Sequence, residues 1–155
     1  MATRIAPLPS YQFLVDLGSG SADPASPLGG FSDVSGLETD IHISEYRNGN
    51  EPDPHVRKIP GSHKVGDVTL KRGVVNSMDL WAWMQAARTT GVAAQRDVVI
   101  TLCDESGAPM QKWKLRNVVP MKYTGPTLAG KGGGEVAMEE LVLSAEGYEI
   151  SSANS

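Results

Sequence analysis

The chain has 155 residues, 40% of them hydrophobic and 21% charged, with a formal net charge of −4. That length suits one domain with a core of its own, without disulfides or metal to hold it. The acidic balance speaks against a general nucleic-acid binder, and the single cysteine, Cys103, excludes an internal disulfide and a cysteine-built zinc cage.

Seventeen Gly and ten Pro fit short strands joined by turns better than a helical bundle. Met1 to Ser10 holds one Arg and no apolar core, which is not the pattern of a secretory leader. No apolar run approaches the roughly 20 residues of a membrane span. The expectation is a protein made and folded in a cytoplasm, with no stable membrane insertion of its own.

Tyr11, Phe13, Val15 and Leu17 alternate with Gln12, Leu14 and Asp16 and predict a first strand. Gly18 to Gly30 reads as a flexible connection, and Phe31 to Tyr46 as a bent strand. In that stretch Leu37, Ile41 and Ile43 share one parity, while Glu38, Asp40, His42 and Ser44 take the other, so one face is dry and one wet. Val34 has the opposite parity to Leu37, and Gly36 sits at the change, where a glycine marks a bulge or corner.

Arg47 to Ser62 is then a long polar passage carrying Pro52, Pro54 and Pro60. A connection longer than about 12 residues in a compact domain is usually functional or disordered. With Arg47, Glu51, Asp53, Arg57 and Lys58 but little to bury, it reads as an extended arm that packs on a partner, plain mobility being the other reading.

Val65 to Val75 returns to strand, with Val68 and Leu70 facing in and Thr69 and Lys71 out. A helix follows: Asn76 or Ser77 caps it, Asp79 sits in its first turn, and Leu80, Met84 and Ala87 make its apolar stripe, flanked by Trp81 and Trp83. Gly91 suits the C′ position. The stripe reads as a helix laid over an open side of a β structure rather than as a cofactor site.

Asp97 to Cys103 is apolar on both faces, as a central strand would be, and Asp104 to Gly107 is a turn. Lys112 to Val119 alternates, Pro120 is expected to interrupt pairing, and Met121 to Thr124 resumes as a short strand. Within Glu135 to Ser144, Val136 and Met138 have one parity and Leu141 and Leu143 the other, which predicts a second bulge near Glu139 and Glu140. The ends, about 1–9 and 150–155, are expected to be loose. The sum is about six to eight strands, mostly antiparallel, with one flanking helix: a small β-barrel or sandwich.

Gly125 to Lys131 matches the first part of the phosphate-loop pattern G-x-x-x-x-G-K, but Gly132 stands where a Ser or Thr must hold Mg²⁺, and a strand follows instead of a helix. A flexible hairpin tip accounts for it better than nucleotide binding. His42, His55 and His63 lack the spacing of a zinc site, and Cys103 has no evident base. Asp104-Glu105 and Glu139-Glu140 are explained by a turn and a strand. No catalytic, cofactor or metal constellation is expected.

Several short pieces, in order, resemble the tail tube proteins of contractile phages and phage-tail-like contractile injection systems. They are G-F-S-D-V-S-G-L-E at Gly30 to Glu38, Y-R-N-G-N at Tyr46 to Asn50, K-I-P-G at Lys58 to Gly61 and V-T-L-K-R-G at Val68 to Gly73. Trp81, W-K-L-R-N-V-V-P-M-K at Trp113 to Lys122, E-V-A-M-E-E-L-V-L at Glu135 to Leu143 and E-G-Y at Glu146 to Tyr148 complete the set.

The resemblance implies a structural protein, without cofactor or catalysis, that forms hexameric rings stacked into a hollow tube inside a sheath. It implies baseplate and tube-terminating partners, and DNA or effector protein in the lumen. The arm would dock on an adjacent subunit or ring. A channel that passes cargo should be polar, which makes Glu38, Asp40, His42, Ser44, Thr69 and Lys71 candidate lumen residues and Gly36 the corner of the wall. The family includes tube-initiating paralogues at the baseplate, and a soluble β-barrel that binds a small ligand is the reading from another class.

Overall fold

A computed structural model describes residues 6–18, 30–50, 52–74, 78–132 and 136–152. In chain order its elements are β1 (Phe13–Asp16), β2 (Asp33–Ser35), β3 (Thr39–Tyr46), β4 (Arg57–Val65), β5 (Val68–Gly73), α1 (Asp79–Thr90), a 3-10 turn (Gly91–Ala94), β6 (Arg96–Cys103), β7 (Pro109–Thr124), β8 (Met138–Ser144) and β9 (Gly147–Ser152). Among the described residues that is nine strands, more than expected, because the arm contributes β4 and the tail contributes β9.

Seven strands form one antiparallel sheet in the order β1-β6-β7-β8-β5-β2, with β9 also paired to β7. The sheet folds over at β7, whose 16 residues pair first with β6 and β9 and then, from Val119 onward, with β8. The fold-over brings Val15, Val98 and Ile100 from one half into a single cluster with Val68, Leu70, Leu141 and Leu143 from the other. The result is a sandwich whose sheet does not close into a barrel, since β1 and β2 end the strand order.

Two irregularities let β7 turn. Register slips opposite Arg96/Val98, where Asn117 takes a φ of 53°, and again between Pro120 and Lys122. Asparagine tolerates left-handed backbone better than most side chains, and the Asn117 amide N–H donates to Asp97 Oδ1 at 3.3 Å. Pro120 therefore does not interrupt the strand. It lies opposite Leu143 beside a bulge, one of the few places in a sheet where its missing N–H costs nothing.

Helix α1 closes one side of the sandwich. Leu80, Trp83 and Met84 are buried, so Trp83 belongs to the inward stripe rather than its flank, and its Nε1–H donates to the Ala94 carbonyl at 2.9 Å. Trp81 meets Tyr123 of β7 edge-on at 6.0 Å. The cap candidates Asn76 and Ser77 lie outside the described residues, and Met78, in the N-cap position, offers no side-chain bond. Gly91 ends the helix with a φ of 59° and donates its N–H to the Ala87 carbonyl.

The bulge expected near Glu139 is absent. β5 and β8 pair without slippage from Val68↔Leu143 to Gly73↔Met138. The parity break arises because Glu139 points inward in line with Leu141 and Leu143, directly opposite Arg72. Its Oε1 lies 2.5 Å from Arg72 Nε, with the two side chains 1% and 6% exposed, and its Oε2 accepts from Tyr123 Oη at 2.6 Å. Phe31 covers the guanidinium at 5.6 Å. Strand β9 runs on to the end of the described residues, where Ser151 and Ser152 pair with Lys112 and Gln111.

Candidate functional site

The feature that stands out from the sandwich is β3–β4, which pair with each other as a separate two-stranded sheet. The expected loop from Arg47 to Ser62 is thus strand from Arg57 onward, and only its first part forms the hairpin tip. With eight residues in β3, the arm reaches about 25 Å at roughly 3.3 Å per residue.

Every residue of β3 is exposed, so the dry face read from Ile41 and Ile43 is not dry within one copy of the chain. Ile41, Ile43 and Ile59 are 49%, 45% and 50% exposed, and Tyr46 is open too. Apart from one another, β3 and β4 make only marginal contact with other elements.

Alternation sorts the arm into two faces. Ile41, Ile43 and Glu45 lie opposite His63, Pro60 and Lys58, while Asp40, Ser44 and Tyr46 lie opposite Lys64, Ile59 and Arg57. Opposite charges across from each other, Asp40 with Lys64 and Glu45 with Lys58, favour the register by a few tenths of a kcal/mol each. At the tip, Arg47 Nε donates to the Asp53 carbonyl at 3.2 Å, and Tyr46 Oη bonds Asn48. Glu51 lies outside the described residues.

The arm leaves the body at Gly36 and returns at Gly66. Gly36 has a φ of 85°, and a Cβ there would stand 2.1 Å from the Asp67 carbonyl oxygen. It separates β2 from β3 and so sits where the chain quits the main sheet, not inside one bent strand. The Glu38 N–H donates to the Gly36 carbonyl at 2.8 Å, and the Gly66 N–H to the Glu38 carbonyl at 2.9 Å. The carbonyl between them, on Leu37, accepts from Tyr148 Oη at 3.2 Å. Burial holds that tyrosine hydroxyl above the usual tyrosine range, with the nearby Trp113 side chain pulling the other way.

Of the candidate lumen residues, Asp40, His42 and Ser44 share one face of the arm, and Glu38 is exposed at its root. Thr69 and Lys71 lie elsewhere, on the outer face of the sandwich. There Lys71 sits between Asp33 and Glu140, and Thr69 between Ser35 and Val142. Lys122 and Thr124 extend the same face. Sequence reasoning missed Asp33, Ser35, Lys122, Thr124 and Glu140 as members of this polar face. Only the pairing of β2, β5, β8 and β7 makes them neighbours.

Other chemistry finds little support in the geometry. No group of three or more His, Cys, Asp or Glu among the described residues could hold a metal ion. Cys103 is buried, and burial together with Asp104 pushes its thiol up, away from the thiolate a nucleophile needs. Gly125 to Gly132 runs without helix, and β8 is the next element. No helix among the described residues is long and apolar enough to cross a membrane.

The class this defines is a small antiparallel β-sandwich subunit with a projecting, two-faced arm. Residues 9–149 match the family model of the T4-like virus tail tube protein gp19, and the chain belongs to that family. It is a structural tube subunit, not an enzyme.

Three solved structures show the likeness in detail. A chain of the structure of the anti-feeding prophage cap, a tube terminating cap, is 27% identical with a TM-score of 0.81 over 99% of this chain and 95% of that one. A chain of the sheath-tube complex of an extracellular contractile injection system, PVC, in its extended state is 25% identical with a TM-score of 0.79, over 95% and 93%. Hcp1 from Flavobacterium johnsoniae, at 14% identity and a TM-score of 0.51 over 92% and 95%, shares the fold alone. Among curated protein sequences none matches significantly.

Proposed function

We propose that this chain forms the inner tube of a contractile particle, assembling as hexameric rings that stack, with each β3–β4 arm docked on an adjacent copy. The observation that carries this is the arm itself. A two-stranded hairpin is marginal in water by itself, yet this one exposes apolar residues on both faces and makes only marginal contact with the other described elements. Burying the open half of each arm isoleucine contributes on the order of 1 kcal/mol per residue.

Arg47, Asp53, Arg57 and Lys58 supply the polar rim of that contact. The free ends of the sheet at β1 and β2 are paired or covered in a ring, which removes exposed strand edges. The polar face around Thr69 and Lys71 suits a channel wall past which cargo, DNA or effector protein, slides. The partners in this reading are further copies of the chain, a sheath outside, and baseplate and terminating proteins at the ends. The sheath-tube complex among the similar structures supports it.

A second reading is a terminating or initiating paralogue, favoured by a likeness to the tube terminating cap as high as that to the tube. Sedimentation and negative-stain microscopy of the concentrated full chain test both. Open-ended tubes support the tube subunit, and single rings that never elongate support the end-piece. A strictly monomeric particle under all conditions refutes both. Replacing Ile41 and Ile59 with Ser should leave the monomer folded and shift assembly to higher concentration.

A further inference from the structure

The arm is a lever of about 25 Å held by two short connections, residues 36–38 and 66–67, and its contact with a neighbour depends on the angle at that root. A rotation of ~10° at the root displaces the tip by about 4 Å, the whole range of a van der Waals contact. Something must fix that angle, and the arm's own strands do not, since they barely touch the body.

Three carbonyls lie in the outgoing connection. That of Gly36 is taken by the Glu38 N–H and that of Glu38 by the Gly66 N–H, both within the root. The Leu37 carbonyl accepts from the body, from Tyr148 Oη at 3.2 Å. Tyr148 lies on β9, which among the described residues pairs with β7 alone, so it belongs to the half of the sandwich opposite to β2. The ring packs on the core, as does Trp113 of the neighbouring strand. The Leu37 side chain packs on the same core.

We propose that Tyr148 is the positioning residue of the arm: its hydrogen bond from the opposite half of the sandwich to the Leu37 carbonyl sets the angle at which β3–β4 leaves the body, and through it the arm's fit to a neighbouring copy. The first half of this stands on the geometry of one chain, and the second rests on the assembly reading above. Gly36 makes the arrangement possible, because the Asp67 carbonyl leaves no room for a side chain there. Gly66 is the softer partner, since the Glu38 side chain that a Cβ would meet is exposed and can swing aside. A pre-set arm loses less freedom on docking, which lowers the concentration at which copies associate.

The test uses the full chain in a Cys103→Ala background, with spin labels at His55→Cys on the arm and Gln85→Cys on α1, below the assembly concentration. Pulsed dipolar spectroscopy should give one narrow distance in the parent protein. Tyr148→Phe should add a broad component, raising the released fraction about five-fold, the weight of one ordinary hydrogen bond. Its melting temperature should stay within about 4 °C of the parent, and Tyr11→Phe, which removes an exposed hydroxyl, should change neither readout. An unchanged distance distribution in Tyr148→Phe overturns the proposal. So does a loosened arm whose chain still assembles at the parent's concentration. If the arm loosens but the parent never assembles, the positioning role holds and the tube reading fails.

Discussion

The buried pair of Arg72 and Glu139 offers the most demanding test of how this sandwich is held. Replacing Glu139 with Leu removes the carboxylate that lies 2.5 Å from Arg72 Nε and accepts from Tyr123 Oη at 2.6 Å. Arg72, on β5 and under Phe31, is left 1% exposed without that carboxylate. Breaking a buried pair from one side typically costs about 3–5 kcal/mol, because the remaining charge keeps its desolvation penalty without its partner. For a chain of this size each kcal/mol is about 2–4 °C in melting temperature, so a fall of roughly 6–20 °C is expected.

The double variant Arg72→Met with Glu139→Leu removes both charges at similar volume and should recover most of that loss, since an apolar pair of the same shape is often neutral or better. Urea unfolding of the parent, both single variants and the double variant closes the cycle. A Glu139→Leu variant within about 1 kcal/mol of the parent would show that water reaches Arg72. A double variant no better than the single would show that packing, not charge, holds this site.

Two further outcomes are expected. Gly36→Ala combines a left-handed φ with a Cβ 2.1 Å from the Asp67 carbonyl oxygen, so it should destabilise by more than about 2 kcal/mol in urea unfolding; Gly49→Ala, which meets nothing within 4 Å, should be near neutral, and equal effects at the two positions would refute the strain argument. Asp104 is held below its ordinary value of 3.8, chiefly by the Ser106 side-chain hydroxyl and then by the Ala108 N–H. Its contribution is therefore present above that value and lost as pH falls through the lower folded value; the stability gap between the parent and Asp104→Ala should narrow on acidification, and a gap that widens would reverse the sign.

Much of the fold was legible because its signals are local. Val68 and Leu70 against Thr69 and Lys71, the stripe of Leu80 and Met84, and the turn at Asp104 to Gly107 all rest on spacings of a few residues. The sandwich class followed from their number and order. The site was less legible. Prolines and charge marked Arg47 to Ser62 as a long polar passage, but its second half is strand, because Arg57 to Val65 finds its pairing partner in β3 rather than in the body.

What the sequence determined by itself is the alternation within strands such as β1, β5 and β6 and several of the residues that turn the chain, since backbone pleat and helical period act between near neighbours. What only the tertiary structure decided is what each face meets. Glu139 is inward because Arg72, 67 residues away, waits opposite it. Pro120 stays in its strand because the sheet bulges beside it. Ile41 and Ile43 are apolar yet open, because no other element among the described residues packs on their strand. Tyr148 reaches Leu37 across 111 residues. Hydrogen bonds and ion pairs act over a few ångströms of space, whatever the distance along the chain, and no periodicity carries that information.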